Sequence, residues 1–130
     1  MALVYPVCMP VVAVIGASSD RRKYGNKALR AFRAQGFTVI PINPHESEIE
    51  GERVYPSVLA YPGPIDEATL YVQPDTAMQV IDELAKKGVP TVWLNPGTDD
   101  EAVVARARAL GLSPRVACSI LGVGESPGAY

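Results

Sequence analysis

The run Val11-Val-Ala-Val-Ile15, followed at once by Gly16-Ala-Ser-Ser, constrains this chain more than any other stretch. Five apolar residues without alternation predict a strand covered on both faces, the habit of a parallel sheet. Gly16, Ala17 and Ser18 are small, so backbone N–H groups there can approach a ligand closely. Arg21, Arg22 and Lys23 come next, then Tyr24 and Gly25, and a helix is expected from about Asn26 to Gln35. A helix N-terminus offers free N–H donors and a partial positive charge, a natural seat for phosphate. A plain strand-to-helix turn with solvated charges is the bland alternative. The basic cluster tips the reading toward an anion site.

The same alternation of apolar runs and helical stripes continues along the chain. Phe37 to Ile42 reads as a second strand ending in Asn43-Pro44, and Glu67 to Val72 as a third. Pro74 fits the first position of a helix whose apolar stripe is Ala77, Val80, Ile81, Leu84 and Ala85, stopped by Gly88. Thr91 to Leu94 is the fourth strand, followed by Asn95-Pro96-Gly97. Thr98 and Glu101 have capping-box spacing before a helix that runs to about Leu110. Ser113 to Cys118 is a short fifth strand, and residues 119–130 form a glycine-containing tail. Strands alternating with helices mean βαβ units. The expectation is therefore one α/β domain over 1–130, a five-stranded doubly wound parallel sheet in the order 3-2-1-4-5, three layers thick.

Charge narrows the function. The formal net charge is −2, which argues against a general nucleic-acid binder. Yet Arg21, Arg22, Lys23, Lys27, Arg30 and Arg33 fall in a stretch without an acid, and Glu46, Glu48, Glu50 and Glu52 follow it. A basic face on an acidic protein suits a small anion better than a polymer. No apolar run approaches membrane length. Residues 1–10, with Pro6 and Pro10, lack a charged n-region and read as an extra segment against the sheet rather than a signal peptide. Two cysteines, Cys8 and Cys118, and one histidine, His45, make neither a disulfide framework nor a Cys/His metal site. A cytoplasmic protein is expected.

Ligands of doubly wound sheets sit beyond the carboxyl ends of the strands, where the order reverses. That edge gathers residues 16–25, Asn43 and Pro44, Val72, Gln73 and Pro74, Asn95, Pro96 and Gly97, and Cys118. An ordinary NAD site is disfavoured, because only the first glycine of the G-x-G-x-x-G pattern is present and the second strand ends without a carboxylate. The helix at Thr98 opens with Asp99, Asp100 and Glu101, and the helix at Pro74 with Asp75. Only the first helix opens with basic residues and no acid, so the phosphates belong at 16–25.

Val-Ile-Gly-Ala-Ser, a later Tyr-Gly, Pro-Ile-Asn-Pro at the second strand, an Ile-x-Gly-x-x-Val-Tyr-Pro-Ser-Leu-like run at 49–59, then Pro-x-x-Ile/Asp, Val-Trp-Leu and a late Cys stand in a distinctive order. Together they resemble the small CoA-binding domain proteins, similar to the CoA-binding Rossmann domain of the succinyl-CoA synthetase α subunit. The resemblance spans about Val11 to Cys118. It implies a Rossmann-like, nucleotide-binding fold with coenzyme A, or an acyl-CoA, as ligand. It implies phosphates at Gly16–Ser18 and Arg21–Gly25, with Val72, Gln73, Pro74, Asn95, Pro96 and Gly97 along the rest of the cofactor. Where the family often has a basic residue after the Asn-Pro, this chain has His45.

No nucleophile elbow, P-loop or paired catalytic residues are visible. Ser18 reads equally as a turn serine or a phosphate contact, Cys118 as a packed small hydrophobe or an edge thiol, and Tyr71 and Trp93 as core. The reading is non-catalytic binding of CoA. The alternatives are a subunit or fragment of an acyl-CoA ligase and an NADP- or nucleotide-sensing module. A protein partner or a homo-oligomer is left open.

Overall fold

A computed structural model describes residues 9–130 of the chain. The expected N-terminal segment and Cys8 fall largely outside the described residues. β1 (Val11–Ile15) is the central strand, paired in parallel with β2 (Thr38–Ile42) on one side and β5 (Glu67–Leu70) on the other. Beyond β5 lie β6 (Thr91–Leu94) and β7 (Ser113–Val116), both parallel. Helices α1 (Tyr24–Ala34), α2 (Pro74–Lys87) and α3 (Glu101–Ala109) make the crossovers.

β1 explains the layering. Val12 and Val14 pack with Leu29 and Phe32 of α1, whereas Ala13 and Ile15 pack with Ile81 and Leu84 of α2 and Val103 of α3. Successive side chains of a strand point to opposite faces, so an unbroken apolar run serves two cores at once. The five-stranded, doubly wound parallel sheet expected from the sequence is present.

One assignment within it changes. The sequence places 67–72 as the third strand, beside the second; β5 instead lies next to β1 and ends at Leu70. The place outside β2 is taken by Tyr55, which makes a single parallel bridge to Ile42. Its N–H donates to the Pro41 carbonyl at 3.1 Å and its carbonyl accepts from the Asn43 N–H at 3.0 Å. Counting Tyr55 as a vestigial third strand restores the order 3-2-1-4-5 and adds β7 outside it. Ahead of Tyr55 a small antiparallel hairpin, β3 (Glu48–Ile49) and β4 (Glu52–Arg53), turns through Glu50 and Gly51, both at positive φ.

The last residues depart from a simple tail. The strand ends at Val116, Cys118 becomes the N-cap of α4 (Ser119–Gly122), and a 3-10 turn covers Pro127–Ala129. Ile120 is fully buried in the α1 core. Gly122 lies so close to Trp93 that a Cβ there would be 2.4 Å from the indole ring. Glu125 accepts hydrogen bonds from Gln35 and the Tyr130 hydroxyl, closing the segment onto α1. No helix among the described residues is long and apolar enough to cross a membrane.

Candidate functional site

α1 leads from β1 outward to β2, and α2 leads from β5 outward to β6, so the chain diverges between β1 and β5. A cleft of about 490 Å³ opens there, at the carboxyl ends of the strands. Gly16, at φ +85°, makes the turn out of β1, and a Cβ on it would stand 2.6 Å from the Tyr71 carbonyl oxygen. Gly25 closes the other end of the loop, where a Cβ would stand 2.2 Å from the Gly16 carbonyl oxygen. The fingerprint judged incomplete from sequence thus has its close-packing glycine after all, displaced by a longer loop.

Among the described residues, the backbone N–H groups of Ala17, Ser18, Tyr24 and Gly25 have no hydrogen-bond partner. The other helix starts are different. At α3 the Gly97 N–H donates to Asp99 at 3.2 Å and the Ala102 N–H to Asp100 at 2.9 Å. The N-cap of α3 is therefore Asp100, not the expected Thr98. The Thr98 hydroxyl is drawn instead to backbone acceptors of the β5 end, the half-buried Val72 carbonyl at 2.6 Å and the buried Leu70 carbonyl at 3.3 Å.

Two asparagines hold the loop. Buried Asn26 donates to the Ser18 carbonyl at 2.8 Å, bonds Glu50 at 3.3 Å and accepts from Arg30 at 2.7 Å. Asn43 donates to the Ala17 carbonyl at 2.9 Å and accepts from the His45 N–H at 2.7 Å. The sequence pointed to Asn43 but not to Asn26, which reads there only as a helix-start residue. The Glu46 carboxylate, in the cleft wall, accepts from the Ser19 N–H at 3.2 Å.

The anticipated site residues divide into groups. Gly16, Ala17, Ser18, Lys23, Tyr24, Gly25, Asn43, Val72, Gln73, Pro96 and Gly97 line the cleft, together with His45, Glu46, Tyr71 and Thr98. Arg21 and Arg22 do not. Arg22 bonds both carboxylate oxygens of its neighbour Asp20 at 3.0 Å and is 90% exposed, while Arg21 pairs with Glu50 at 3.4 Å. The Arg22 guanidinium pulls the Asp20 carboxyl down to about 2. Pro44 sits in an adjoining depression with Pro56 and Val58, which shares Gly16, Asn43 and Val72 with the cleft, and Pro74 serves as the first residue of α2.

Asn95 and Cys118 lie in a second cavity of about 320 Å³, mostly apolar, which shares Tyr24, Tyr71 and Pro96 with the cleft. Asn95 is spent on structure: it donates to Thr69 at 2.7 Å and the Leu70 carbonyl at 2.9 Å, and accepts from the Ser119 N–H at 2.9 Å. Ser119 in turn bonds Thr69 at 2.7 Å and the Tyr71 hydroxyl at 3.0 Å. Burial pushes the Tyr71 phenol up to about 12, so it keeps its proton at neutral pH.

The cleft thus lies at the switch point of a doubly wound sheet, with unpartnered N–H donors along its wall. The CoA binding domain model matches residues 10–121, and the chain belongs to that family. It is 38% identical over 82 residues to the α subunit of ADP-forming acetate–CoA ligase II of Pyrococcus furiosus, covering 62% of this chain and 18% of that protein. Its structure is similar to a conserved hypothetical protein from Pyrococcus furiosus, with 30% identity, a TM-score of 0.79 and coverage of 88% of this chain and 98% of the other. It is also similar to the dinucleotide-forming acetyl-coenzyme A synthetase 1 of Ca. Korarchaeum cryptofilum, solved with phosphate and ADP: 32% identity, TM-score 0.73, 83% of this chain and 25% of that one. The chain thus spans under a fifth of the ligase subunit's length and a quarter of the synthetase's.

Proposed function

We propose that this protein binds coenzyme A or an acyl-CoA in the cleft between β1 and β5 and does not itself catalyse a reaction. The observation that carries the reading is the set of unpartnered N–H groups of Ala17, Ser18, Tyr24 and Gly25, with Lys23 beside them. Such donors, at a helix start free of acids, favour a phosphate over any neutral group. Val72, Gln73, Pro96 and Gly97 are left to hold the less charged parts of the ligand. The cytoplasm is the proposed compartment.

The absence of a catalytic role rests on His45 and Ser18: neither has a base, nucleophile or carboxylate partner in hydrogen-bond reach among the described residues. A second reading, a subunit of an acyl-CoA ligase whose partner supplies the chemistry, is favoured by the likeness to the ligase α subunit. Isothermal titration with CoA, NADP and NAD at fixed salt tests the binding. CoA is expected to bind and NAD to bind much more weakly; NAD binding as tight as CoA overturns the proposal. Recovery of a ligase-type subunit with the protein from its native source would shift the function to the second reading.

A further inference from the structure

The apolar cavity beside the cleft has no role in holding phosphates, yet the two share a wall. Tyr24, Tyr71 and Pro96 face both spaces, and Cys118, Leu121 and Pro127 complete the inner one. Leu121 is 61% exposed and Tyr24 56% exposed, an apolar pair left open to solvent at the rim. An apolar cavity of about 150 Å³ accommodates benzene. At about 320 Å³ this one has room for a short or branched aliphatic chain.

The hydroxyls in the shared wall form one hydrogen-bonded chain. The Asn95 amide is oriented by the Ser119 N–H, which needs its oxygen, and the Leu70 carbonyl, which needs its nitrogen. Its second amide hydrogen therefore goes to Thr69 Oγ1. Ser119 Oγ, 2.7 Å away, can take the Thr69 proton, and the Ser119 proton then goes to Tyr71 Oη at 3.0 Å. Buried hydroxyls satisfy one another in this way because a lost bond is costly. Run in that direction, the relay leaves the Tyr71 phenol proton free for a ligand, on a residue that lines both the polar cleft and the apolar cavity. A group with an oxygen acceptor followed by a hydrocarbon tail meets both requirements.

We infer that the inner cavity is an acyl pocket, which takes the hydrocarbon tail of a short-chain acyl thioester while the Tyr71 hydroxyl donates to the thioester carbonyl. The inference rests on the proposed CoA site and makes the acyl thioester, rather than free CoA, the preferred ligand. Each buried methylene is worth roughly three- to fourfold in affinity, and the carbonyl bond roughly three- to tenfold.

Titration of the full chain with CoA, acetyl-, butyryl-, isovaleryl-, hexanoyl- and palmitoyl-CoA, and with S-butyl-CoA, a thioether lacking the carbonyl, tests it. Affinity is expected to rise from CoA to butyryl- or isovaleryl-CoA by tenfold or more and to fall again by palmitoyl-CoA. Butyryl-CoA should exceed S-butyl-CoA severalfold, and Tyr71→Phe should erase that difference. Cys118→Leu, which fills the cavity, should shrink the ratio of acyl-CoA to CoA affinity. If CoA binds and the acyl series is flat, the acyl pocket is refuted while the CoA site stands. If CoA does not bind at all, the failure is that of the CoA site itself. The series on the unmodified protein decides the matter even where a variant fails to fold.

Discussion

Gly25 meets Gly16 so closely that no side chain fits between them: a Cβ on Gly25 would lie 2.2 Å from the Gly16 carbonyl oxygen. This contact brings the first turn of α1 against the turn out of β1, and so sets four free N–H groups around one space. Gly25→Ala should destabilise the fold by about 1–3 kcal/mol, the usual cost of overpacking. It should also weaken CoA binding at least tenfold, since the donors separate. Urea denaturation and titration calorimetry check the two effects; unaltered stability would mean that the helix start yields freely.

The basic loop is not uniform. Lys23 lines the cleft, whereas Arg22 is 90% exposed and engaged by Asp20. Lys23→Ala should weaken CoA binding by about threefold to tenfold at low salt, in the range of a partly exposed charge-assisted bond. Arg22→Ala should weaken it less, acting only through the general field. Equal losses in the two variants would show that Arg22 leaves Asp20 when ligand arrives.

The Asp20–Arg22 pair makes its own pH prediction. The folded carboxyl titrates at about 2, against an ordinary 3.8, because the Arg22 side chain donates to it. A lowered carboxyl value stabilises the fold above the unfolded value, and the contribution is lost as pH falls through the folded one. Any stabilisation is therefore complete above about pH 4 and disappears toward pH 2. Carboxyl NMR should show the Asp20 midpoint near 2 and its return toward 3.8 in Arg22→Ala. A midpoint unmoved by that substitution would exclude Arg22 as the cause.

Much of this architecture was legible because apolar runs and helical stripes report burial directly. Val11–Ile15 serves two cores and shows no alternation, and the α2 stripe faces one core and shows a clean one. What escaped was decided by single contacts. Tyr55 fills the place of a third strand with one bridge, too short for any periodicity, so the sequence offers β5 in its stead. Thr98 has a capping residue's chemistry, but backbone carbonyls at the β5 end compete for its hydroxyl. Asn26 looks like an ordinary helix-start residue and Asn95 like a cofactor contact, and only the fold reveals what their amides span. Gly122 reads as a tail glycine until Trp93 is seen beneath it. For Arg22 the sequence shows a cation suited to phosphate but not its bonds to Asp20, two residues back.

The Glu46 carboxylate that accepts from the Ser19 N–H has a bearing on how the cleft fills. The loop is not waiting bare for an anion; one of its donors already has a tethered one. A phosphate arriving at the proposed site, on the neighbouring unpartnered donors, meets this carboxylate in the cleft wall, and Glu46 gives way or shares the loop. A carboxylate that keeps the loop in shape lowers the ordering cost of binding, while its repulsion of an incoming anion caps the affinity.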